Sequence, residues 1–255
     1  MNVDSKTPVV TIAVPSLNQG RYLTDALESI FSQEVPVEVF VADGGSTDTS
    51  VDVIRQWEPR LSGWRSHPDS GQAAAINESI EKGTAPYVGW LNSDDCYLPG
   101  GLRVLVDALE AHHEWPAAYA LAEDADSSLT NRSNVWVEPF NERRLAVRCF
   151  ISQPATLIRR SAWEAVGGLN EDFELAMDYD LWWRLYRRFG PLGFEEELVA
   201  LNRSHDSSKT RTQRKRHYQE AIQVVRSHYG RVPWKWWLYW VFAVWFRSFF
   251  AAQKR

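Results

Sequence analysis

Two adjacent acids, Asp94 and Asp95, stop an apolar run that extends from Tyr87 to Leu91. Such a run is typical of a strand buried on both faces, and open α/β sheets bind their ligands at the carboxyl ends of these strands. Mg²⁺ and Mn²⁺ prefer hard oxygen ligands, and they take further ligands from substrate phosphates. The pair therefore indicates a divalent-cation site, although a solvated turn before a helix opened by Pro99 would use the same residues.

Asp43 occupies a similar position, directly after a second apolar run at 37–42. Gly44 and Gly45 follow it and allow close approach of another group to the backbone. Taken alone, an acid at this point is typical of a turn in which a carboxylate accepts backbone N–H groups.

Asp178 stands at the start of a stretch with helical spacing of apolar residues, namely Leu181, Trp182, Leu185 and Phe189. An acid in the first turn of a helix interacts favourably with the helix dipole, so its simplest role is that of a cap. His205 lies in a polar stretch near the end of the sheet region, where a lone histidine is typically a solvated side chain.

The stretches that must position these residues alternate between strand and helix patterns, which predicts a parallel α/β sheet. The expected strands are 9–14, 37–42, 64–66, 87–91, 117–122, 153–158 and 195–201. The expected helices are 21–33, 72–81, the helix opened by Pro99, 161–166 and 178–189. The polar stretch 123–134 predicts a mobile loop over the site.

The composition is that of an ordinary globular protein. The chain has 255 residues, of which 44% are hydrophobic and 24% are charged. A formal net charge of −5 provides no strongly basic face, so we expect no nucleic-acid partner. Cys96 and Cys149 make no disulfide framework and residues 1–8 carry no apolar signal region, which together favour a cytoplasmic location.

Seven short motifs stand in a fixed order over roughly residues 9–210. They are Pro15-Ser-Leu-Asn18, Val-Ala-Asp-Gly-Gly-Ser-Thr-Asp48, Asp-Ser-Gly-Gln-Ala-Ala-Ala-Ile-Asn77, Trp-Leu-Asn-Ser-Asp-Asp95, Gln-Pro-Ala-Thr156, Met-Asp-Tyr-Asp-Leu-Trp-Trp-Arg184 and Arg203-Ser-His205. Together they resemble the signatures of family 2 glycosyltransferases. Any one motif would be weak evidence, but the ordered set is specific.

The resemblance implies a GT-A (Rossmann-like) fold with a central, mostly parallel sheet flanked by helices, and an inverting enzyme that uses a nucleotide-sugar donor. It implies a divalent cation, Mn²⁺ or Mg²⁺, with Asp95, Asp94 and His205 as ligands. It also implies that Asp178 is the base that accepts the proton of the acceptor hydroxyl. Asp180, two residues later on the same helix, points elsewhere.

Other positions resemble the family's donor-binding residues. Asp43 matches the acid that hydrogen-bonds the nucleobase, and Asp94 also matches a contact to ribose. The implied donor-binding set is Pro15, Ser16, Asn18, Asp43, Gly71, Gln72, Asn92 and Asp94.

Three positions depart from the family pattern without removing a proposed metal ligand or the base. Asn92 is often acidic in the family, Met177 stands where glutamate is common, and Ala74 where aspartate is frequent. The departures bear on donor specificity and metal affinity.

The end of the chain is basic and then rich in tryptophan, with an aromatic run from Trp234 to Phe250. Only eleven uncharged residues separate Lys235 from Arg247, whereas a membrane-spanning helix needs about 20, so no such helix is expected. Tryptophan favours the membrane interface and the flanking basic residues attract anionic headgroups, which predicts a helix in the membrane plane. The alternative is a helix that packs on its own domain or forms a homodimer interface.

These features predict a catalytic domain over residues 1–205, with a donor half at about 1–100 and an acceptor half at about 101–205, followed by a tail at 206–255. The predicted reaction moves a sugar from a nucleotide-sugar, most simply a UDP-sugar, to a hydroxyl of a surface glycan or of its lipid-linked precursor. The expected place of action is the cytoplasm, including the inner face of the cell membrane. The two competing classes are a non-catalytic nucleotide-sugar-binding protein on the same fold and a membrane-associated interaction protein.

Overall fold

The donor half of the chain forms a parallel sheet in the computed structural model, which describes residues 7–206 and 208–240. The strands are β1 (Val10–Ser16), β2 (Val37–Asp43), β3 (Gly63–Ser66) and β4 (Tyr87–Trp90). They lie in the order β3-β2-β1-β4, and each neighbouring pair is parallel. Continuous apolar runs form β1 and β4 because both faces of these central strands are covered.

Helices connect these strands and cover the sheet. They are α1 (Gly20–Phe31), α2 (Ser50–Trp57) and α3 (Gln72–Glu81). α1 buries Leu23, Ala26, Leu27 and Ile30, the apolar residues whose helical spacing predicted it. The predicted alternation of strands and helices is confirmed in this half.

The acceptor half continues the same sheet with antiparallel pairs. Its strands are β5 (Cys96–Tyr97), β6 (Ala117–Ala125), β7 (Arg132–Asn134), β8 (Thr156–Arg159) and β9 (Gly193–Arg203). β8 pairs antiparallel with both β4 and β6, β9 runs parallel to β6, and β5 pairs antiparallel with β9. The described strands thus form one mixed sheet, and the predicted α/β class is confirmed.

Two sequence predictions were wrong in this half. The stretch 123–134 was expected to be a mobile loop, but β6 extends to Ala125 and β7 returns beside it as a hairpin. β7 has only three residues and all are exposed, so it carries no apolar pattern. The strand expected from residue 153 begins at Thr156, because Pro154 lies in a short 3₁₀ turn, Gln153–Ala155.

The remaining helices pack around the acceptor half. They are α4 (Gly101–Ala111), α5 (Glu142–Leu145), α6 (Arg160–Val166), α7 (Met177–Phe189), α8 (Lys209–Thr212), α9 (Arg214–Tyr229) and α10 (Lys235–Trp240), and a second 3₁₀ turn spans Glu58–Arg60. Two core clusters form, one centred on β1, α1 and α4 and the other on α7 and the strand end at Trp90.

The described part of the tail packs on the domain that precedes it. Val224 and Val225 of α9 are fully buried, and Trp236 of α10 is buried with its indole N–H donating to Ala146 O (2.8 Å). Trp234 and Trp237 are exposed instead. For Trp236, the structure thus agrees with the alternative prediction, a tail helix that packs on its own domain. The rest of the aromatic run, from residue 241 on, lies outside the described residues.

In the part of the chain that the structure describes, no helix is both long and apolar enough to cross a membrane. The predicted division at residue 205 stays a prediction.

Candidate active site

The ends of β1 and β2 bring Ser16 and Asp43 to the same level of the sheet, because the two residues are partners in the parallel register. Asp43 is fully buried. Its Oδ2 accepts hydrogen bonds from Gly45 N (3.1 Å), Ser46 N (2.8 Å) and Ser66 Oγ (2.7 Å). This is the turn-acid arrangement that the sequence left open, and the nucleobase contact of Asp43 stays a prediction.

The loop after β1 is tied to the loop after β2 through Asn18. Its backbone N–H donates to Ser46 Oγ (2.7 Å) and its Oδ1 accepts from Thr47 N (2.9 Å). Asn18 has φ of +54°, a left-handed conformation that asparagine tolerates better than most residues. Pro15 pairs with Ala42 just below. These contacts bring the predicted residues Pro15, Ser16, Asn18 and Asp43 together.

Ser16 is buried, yet its hydroxyl has no hydrogen-bond partner among the residues that the structure describes. A buried polar group without a partner is costly, and it is found where a ligand or water supplies the missing bond. The unpartnered hydroxyl therefore marks this corner as a place where a polar ligand would gain a hydrogen bond.

A chain of side-chain amides connects α3 with the paired acids. Gln72 Nε2 donates to Asn92 Oδ1 (2.8 Å), and Asn92 Nδ2 donates to Asp95 Oδ2 (3.0 Å). Gly71 precedes α3 with φ of +123°, a conformation that favours glycine. The structure thus connects Gln72 and Asn92 to Asp95, while the donor contacts of Gly71, Gln72 and Asn92 stay a prediction.

Asp94 and Asp95 follow β4 but lie in different environments. Asp95 is buried and its Oδ1 accepts from Arg203 N (2.8 Å), whereas Asp94 is partly exposed and its Oδ2 lies 2.9 Å from His205 Nε2. Burial, and next the charge of Asp94, raise the pKa of Asp95 well above its usual range, although the bonds from Arg203 and Asn92 oppose this rise.

Two of the three predicted metal ligands, Asp94 and His205, are in direct contact. Across residues 7–206 and 208–240, however, no group of three His, Cys, Asp or Glu side chains is arranged to hold a metal ion. The donor chemistry does fit Mn²⁺ or Mg²⁺, because two carboxylates and an imidazole are suitable ligands. A cation would also favour the ionised form of Asp95, which burial and then the charge of Asp94 disfavour.

Arg203 organises this corner in a way that its motif alone did not reveal. Its Nε donates to Asp94 O (2.8 Å) and its Nη2 to Asp25 Oδ2 of α1 (2.7 Å). Its guanidinium lies 4.5 Å from the ring centroid of Tyr22, and the His205 ring lies 5.0 Å from the same ring. The local sequence offered no signal for Tyr22 and Asp25, which meet Arg203 only in the fold.

Lys209 also lies at the site, although the sequence assigned it no role there. Its Nζ lies 3.3 Å from Gln72 Oε1, at the start of the amide chain that leads to Asp95. A flexible ammonium group at this point is suited to contact a phosphate.

Asp178 lies in the first turn of α7, half-buried, with Oδ1 accepting from the N–H of Tyr179 (2.7 Å). Burial raises the pKa of Asp178 to about 6. This value is close to that of a carboxylate suited to general base catalysis near neutral pH.

Asp180 points away from Asp178, as predicted from the helix geometry. Its Oδ2 accepts from Arg184 Nε (2.7 Å) and its Oδ1 lies 2.8 Å from His228 Nε2. Burial opposes ionisation of Asp180, but His228 and Arg184 together lower its pKa below the usual value. Asp180 is therefore a structural carboxylate.

The strand that ends at the paired acids packs directly on the helix that carries Asp178. Trp90 of β4 stacks on Trp182 of α7, with ring centroids 6.0 Å apart. The segment 149–153 also joins the two groups. Gln153 Oε1 accepts from Asn92 Nδ2 (3.3 Å), and at the other end burial, and next the charge of Asp178, raise the pKa of the half-buried Cys149 thiol. Since five residues span at most about 17 Å, the acids and Asp178 belong to one region of the molecule.

A sheet of this architecture, with acids at its strand ends, defines the class of GT-A glycosyltransferases, and the solved structures that match it are of this class. S. aureus TarS 1-349 in complex with UDP-GlcNAc matches with a TM-score of 0.70 and 16% identity, over 86% of this chain and 66% of that chain. The mannosyltransferase PcManGT from Pyrobaculum calidifontis, in complex with GDP-Man and Mn²⁺, matches with a TM-score of 0.68 and 20% identity, over 91% and 67%. At these identities the likeness shows the fold.

The family model for glycosyl transferase family 2 matches residues 11–167. The chain belongs to this family, and the predicted glycosyltransferase class is confirmed.

Curated relatives carry the same family relationship. Escherichia coli chondroitin synthase is 26% identical over 184 residues, which are 71% of this chain and 27% of that protein. Pasteurella multocida hyaluronan synthase is 28% identical over 187 residues, which are 71% of this chain and 19% of that protein. A PGL/p-HBAD biosynthesis glycosyltransferase from Mycobacterium bovis is 28% identical over 178 residues, 68% of each chain. The chain thus spans about a quarter or less of the two synthases.

Proposed function

We propose that the protein is an inverting glycosyltransferase that moves a sugar from a UDP-sugar to a hydroxyl of a surface glycan or of a lipid-linked glycan precursor. The observation that carries the proposal is the packing of the strand end with Asp94 and Asp95 against the helix that presents Asp178. Direct inversion needs a leaving-group site and a single base on opposite sides of the anomeric carbon.

The donor would bind across the ends of β1, β2 and β4. Asp43, Ser16, Asn18 and Pro15 would surround the nucleoside, and the free Ser16 hydroxyl would donate to it. Gly71, Gln72 and Asn92, with Lys209, would face the diphosphate. The complexes of TarS with UDP-GlcNAc and of PcManGT with GDP-Man support a nucleotide-sugar donor on this fold.

Asp95, Asp94 and His205 would hold Mn²⁺ or Mg²⁺. When bound, the cation would neutralise the negative charge that grows on the leaving diphosphate. A Mn²⁺ complex of PcManGT supports this part of the proposal.

Asp178 would accept the proton of the acceptor hydroxyl. As the hydroxyl oxygen forms its bond to the anomeric carbon, the bond from that carbon to the diphosphate oxygen breaks and the configuration inverts. Its raised pKa of about 6 supports this role, since the carboxylate would be ionised at neutral pH and still basic.

The acceptor would be a glycan. Support comes from the names of two relatives, chondroitin synthase and hyaluronan synthase, which are polysaccharide-forming enzymes. The catalytic domain would span residues 1–205, with the acceptor bound in its second half.

The experiment separates binding from catalysis. UDP binding is measured by calorimetry with and without Mn²⁺, and a panel of UDP-sugars and GDP-mannose is then screened for acceptor-dependent release of nucleotide. We expect Mn²⁺-dependent UDP binding, and we expect Asp178→Asn to keep that binding while losing turnover by about 100-fold or more.

Asp172→Asn is the matched control, because Asp172 is an exposed acid on the loop that precedes α7. It should retain turnover. Retained turnover in Asp178→Asn would refute the base assignment, and binding without any turnover in the unmodified chain would favour a non-catalytic nucleotide-sugar-binding protein.

We also infer that the tail brings the enzyme to the cytoplasmic face of a membrane. Within the described residues, Trp234 (67%), Trp237 (50%) and Leu238 (58%) are exposed although they are large and apolar. Lys235 lies among them and would meet anionic headgroups. A membrane would explain why these side chains face away from the domain that buries Trp236.

The test compares the full chain with a triple variant, Trp234→Ser, Trp237→Ser and Leu238→Ser, in co-sedimentation with anionic vesicles. Truncation near Gly230 is a poorer test because it removes the core residue Trp236. We expect the triple variant to lose most of its binding. Unchanged binding would refute the proposal, and so would a dimer that dissociates only in the variant, since the face would then be a subunit interface.

A further inference from the structure

α9 packs against α7, the helix that carries the candidate base Asp178. It lies outside residues 11–167, which the family model matches. Ala221, Val224 and Val225 of α9 are buried in the same core cluster as Met177 and Trp182 of α7. A charged side chain on the buried side of α9 must therefore find its partners on or near α7.

Glu220 is such a side chain, with 8% of its surface exposed. Its Oε2 accepts three backbone N–H groups, those of Glu174 (3.1 Å), Leu175 (2.7 Å) and Ala176 (3.1 Å). Its Oε1 accepts from Arg216 Nε (2.9 Å), so both oxygens are engaged. Hydrogen bonds to a carboxylate are stronger than those to a neutral acceptor, so this single side chain fixes the backbone of the loop.

The fixed loop leads directly into the candidate base. Ala176 is the N-cap residue of α7, and its own N–H is one of the three that Glu220 accepts, so the loop is fixed up to the residue at which α7 begins. Asp178 follows two residues later. His228, also on α9, contacts Asp180 (2.8 Å), so α9 holds α7 on both sides of Asp178.

We propose that Glu220 is a positioning residue that holds the carboxylate of Asp178 in place to receive the proton of the acceptor hydroxyl. The inference rests on the proposed function of Asp178. Without the three bonds the loop would relax, and a displacement of about 1 Å in a catalytic group can cost about 100-fold in rate. α9 would then be part of the catalytic apparatus although it touches no substrate.

The first test measures the loop itself and needs no substrate. Hydrogen exchange of the amides of residues 174–176 is compared between the unmodified chain and Glu220→Gln, with Glu174→Gln as the matched control. Glu174 shares Arg216 with Glu220 but provides no acceptor for the backbone. We expect faster exchange in Glu220→Gln and unchanged exchange in Glu174→Gln.

The second test measures catalysis with UDP-GlcNAc, or with the donor that the screen selects. In Glu220→Gln we expect kcat to fall by about 10-fold to 100-fold, while donor KM and Mn²⁺-dependent UDP binding stay the same. The acid limb of the pH profile should move to lower pH, because a released Asp178 is better solvated and ionises more easily. Glu220→Asp, which keeps the charge but shortens the reach, should recover part of the rate.

A double-mutant cycle separates this proposal from that of the base. If Glu220 acts through Asp178, Glu220→Gln should cause little further loss in an Asp178→Asn background. If the losses of rate in the two single variants add up in the double variant, the positioning role is wrong. It is also wrong if Glu220→Gln keeps wild-type kcat and wild-type exchange, or if it loses UDP binding as strongly as it loses kcat. If Glu220→Gln does not fold, amide exchange, kcat and the pH profile are measured in Glu220→Asp instead. Wild-type values of all three in Glu220→Asp would then overturn the proposal. Retained turnover in Asp178→Asn, by contrast, would refute the base and leave the exchange result intact.

Discussion

Aspartates with the same ordinary pKa are placed in different environments by this fold, and the environment decides what each can do. Asp43 accepts hydrogen bonds from the turn that follows it and from Ser66 of β3, and Asp180 is paired with Arg184 and a histidine. Asp95 is buried beside Asp94, and burial first and the charge of Asp94 second raise its pKa. Asp178 has no ion pair with any residue that the structure describes and is half-buried, and this burial raises its pKa, which suits a proton acceptor.

At the scale of this one carboxylate, the activity should depend on pH. The pKa of Asp178 is raised by burial to about 6, so the basic form predominates above pH 6 and is lost below it. We expect kcat/KM of the free enzyme to rise with pH through an apparent pKa of about 6 and then level off. Rates measured from pH 4.5 to 8 with constant ionic strength test this, and a profile that is flat between pH 5 and 7 would contradict it.

Ser16 allows a prediction in which stability and binding change in opposite directions. Its buried hydroxyl has no partner within residues 7–206 and 208–240, so Ser16→Ala should leave the free energy of unfolding unchanged or raise it by up to about 1 kcal/mol. The same change should weaken UDP binding by roughly 5-fold, since one hydrogen bond is lost. Denaturant unfolding and calorimetry measure the two effects.

Ser29 is the matched control for this substitution. Its hydroxyl donates to Ala26 O (2.7 Å) and accepts from Tyr97 N (3.1 Å). Ser29→Ala should therefore lower the free energy of unfolding by about 1–2 kcal/mol and leave UDP binding unchanged. If both serines behaved alike, the ligand role of Ser16 would be wrong.

At the scale of elements, the sequence predicted the strands and helices whose own residues show an apolar pattern. β1, β2, β4 and α1 were predictable because burial on one or both faces imposes an apolar pattern on each. β7 was not, since it is short, polar and exposed, and forms only because β6 offers it an edge. The packing of α9 and α10 on α7 likewise depends on long-range contacts that local sequence does not encode.

The anchoring of α10 can be tested by one substitution. Trp236 is buried and donates its indole N–H to Ala146 O, so Trp236→Ala should lower the free energy of unfolding by about 3 kcal/mol. Trp237→Ala, one residue later and half exposed, should change it by less than about 0.5 kcal/mol. Equal effects in denaturant unfolding would show that α10 does not pack as described.

At the scale of the whole molecule, the motifs predicted the residues of the candidate site. The fold determines which other residues support them. The predicted residues from β1, β2, α3 and β4 do assemble at one edge of the sheet, because parallel strands end together. Their supporting contacts come from far along the chain: Arg203 to Asp94, Lys209 to Gln72 and Glu220 to the loop before α7. No local pattern marks such partners, since each is defined only by a tertiary contact.

Ligand binding should stabilise the entire fold through this assembled edge. A ligand that binds only the folded state at 100 times its Kd adds about 2.7 kcal/mol, which for a chain of 255 residues raises Tm by roughly 5–10 °C. We expect this rise with UDP and Mn²⁺ together, a smaller rise with either alone, and reversal by EDTA. Thermal unfolding followed by circular dichroism measures it.

Asp95→Asn tests whether the paired acids cause the Mn²⁺-dependent part of this rise in Tm. Asp95→Asn replaces a carboxylate whose ionisation is opposed first by burial and then by the charge of Asp94, and the neutral amide has a similar shape, so the ligand-free variant should remain folded. It should nevertheless lose the Mn²⁺-dependent part of the Tm rise, because an amide is a weaker ligand for a hard cation than a carboxylate. Asp52→Asn, at an exposed acid on α2, should keep the full rise. A full Mn²⁺-dependent rise in Asp95→Asn would place the cation elsewhere and would remove the basis for metal-assisted departure of the diphosphate at this edge.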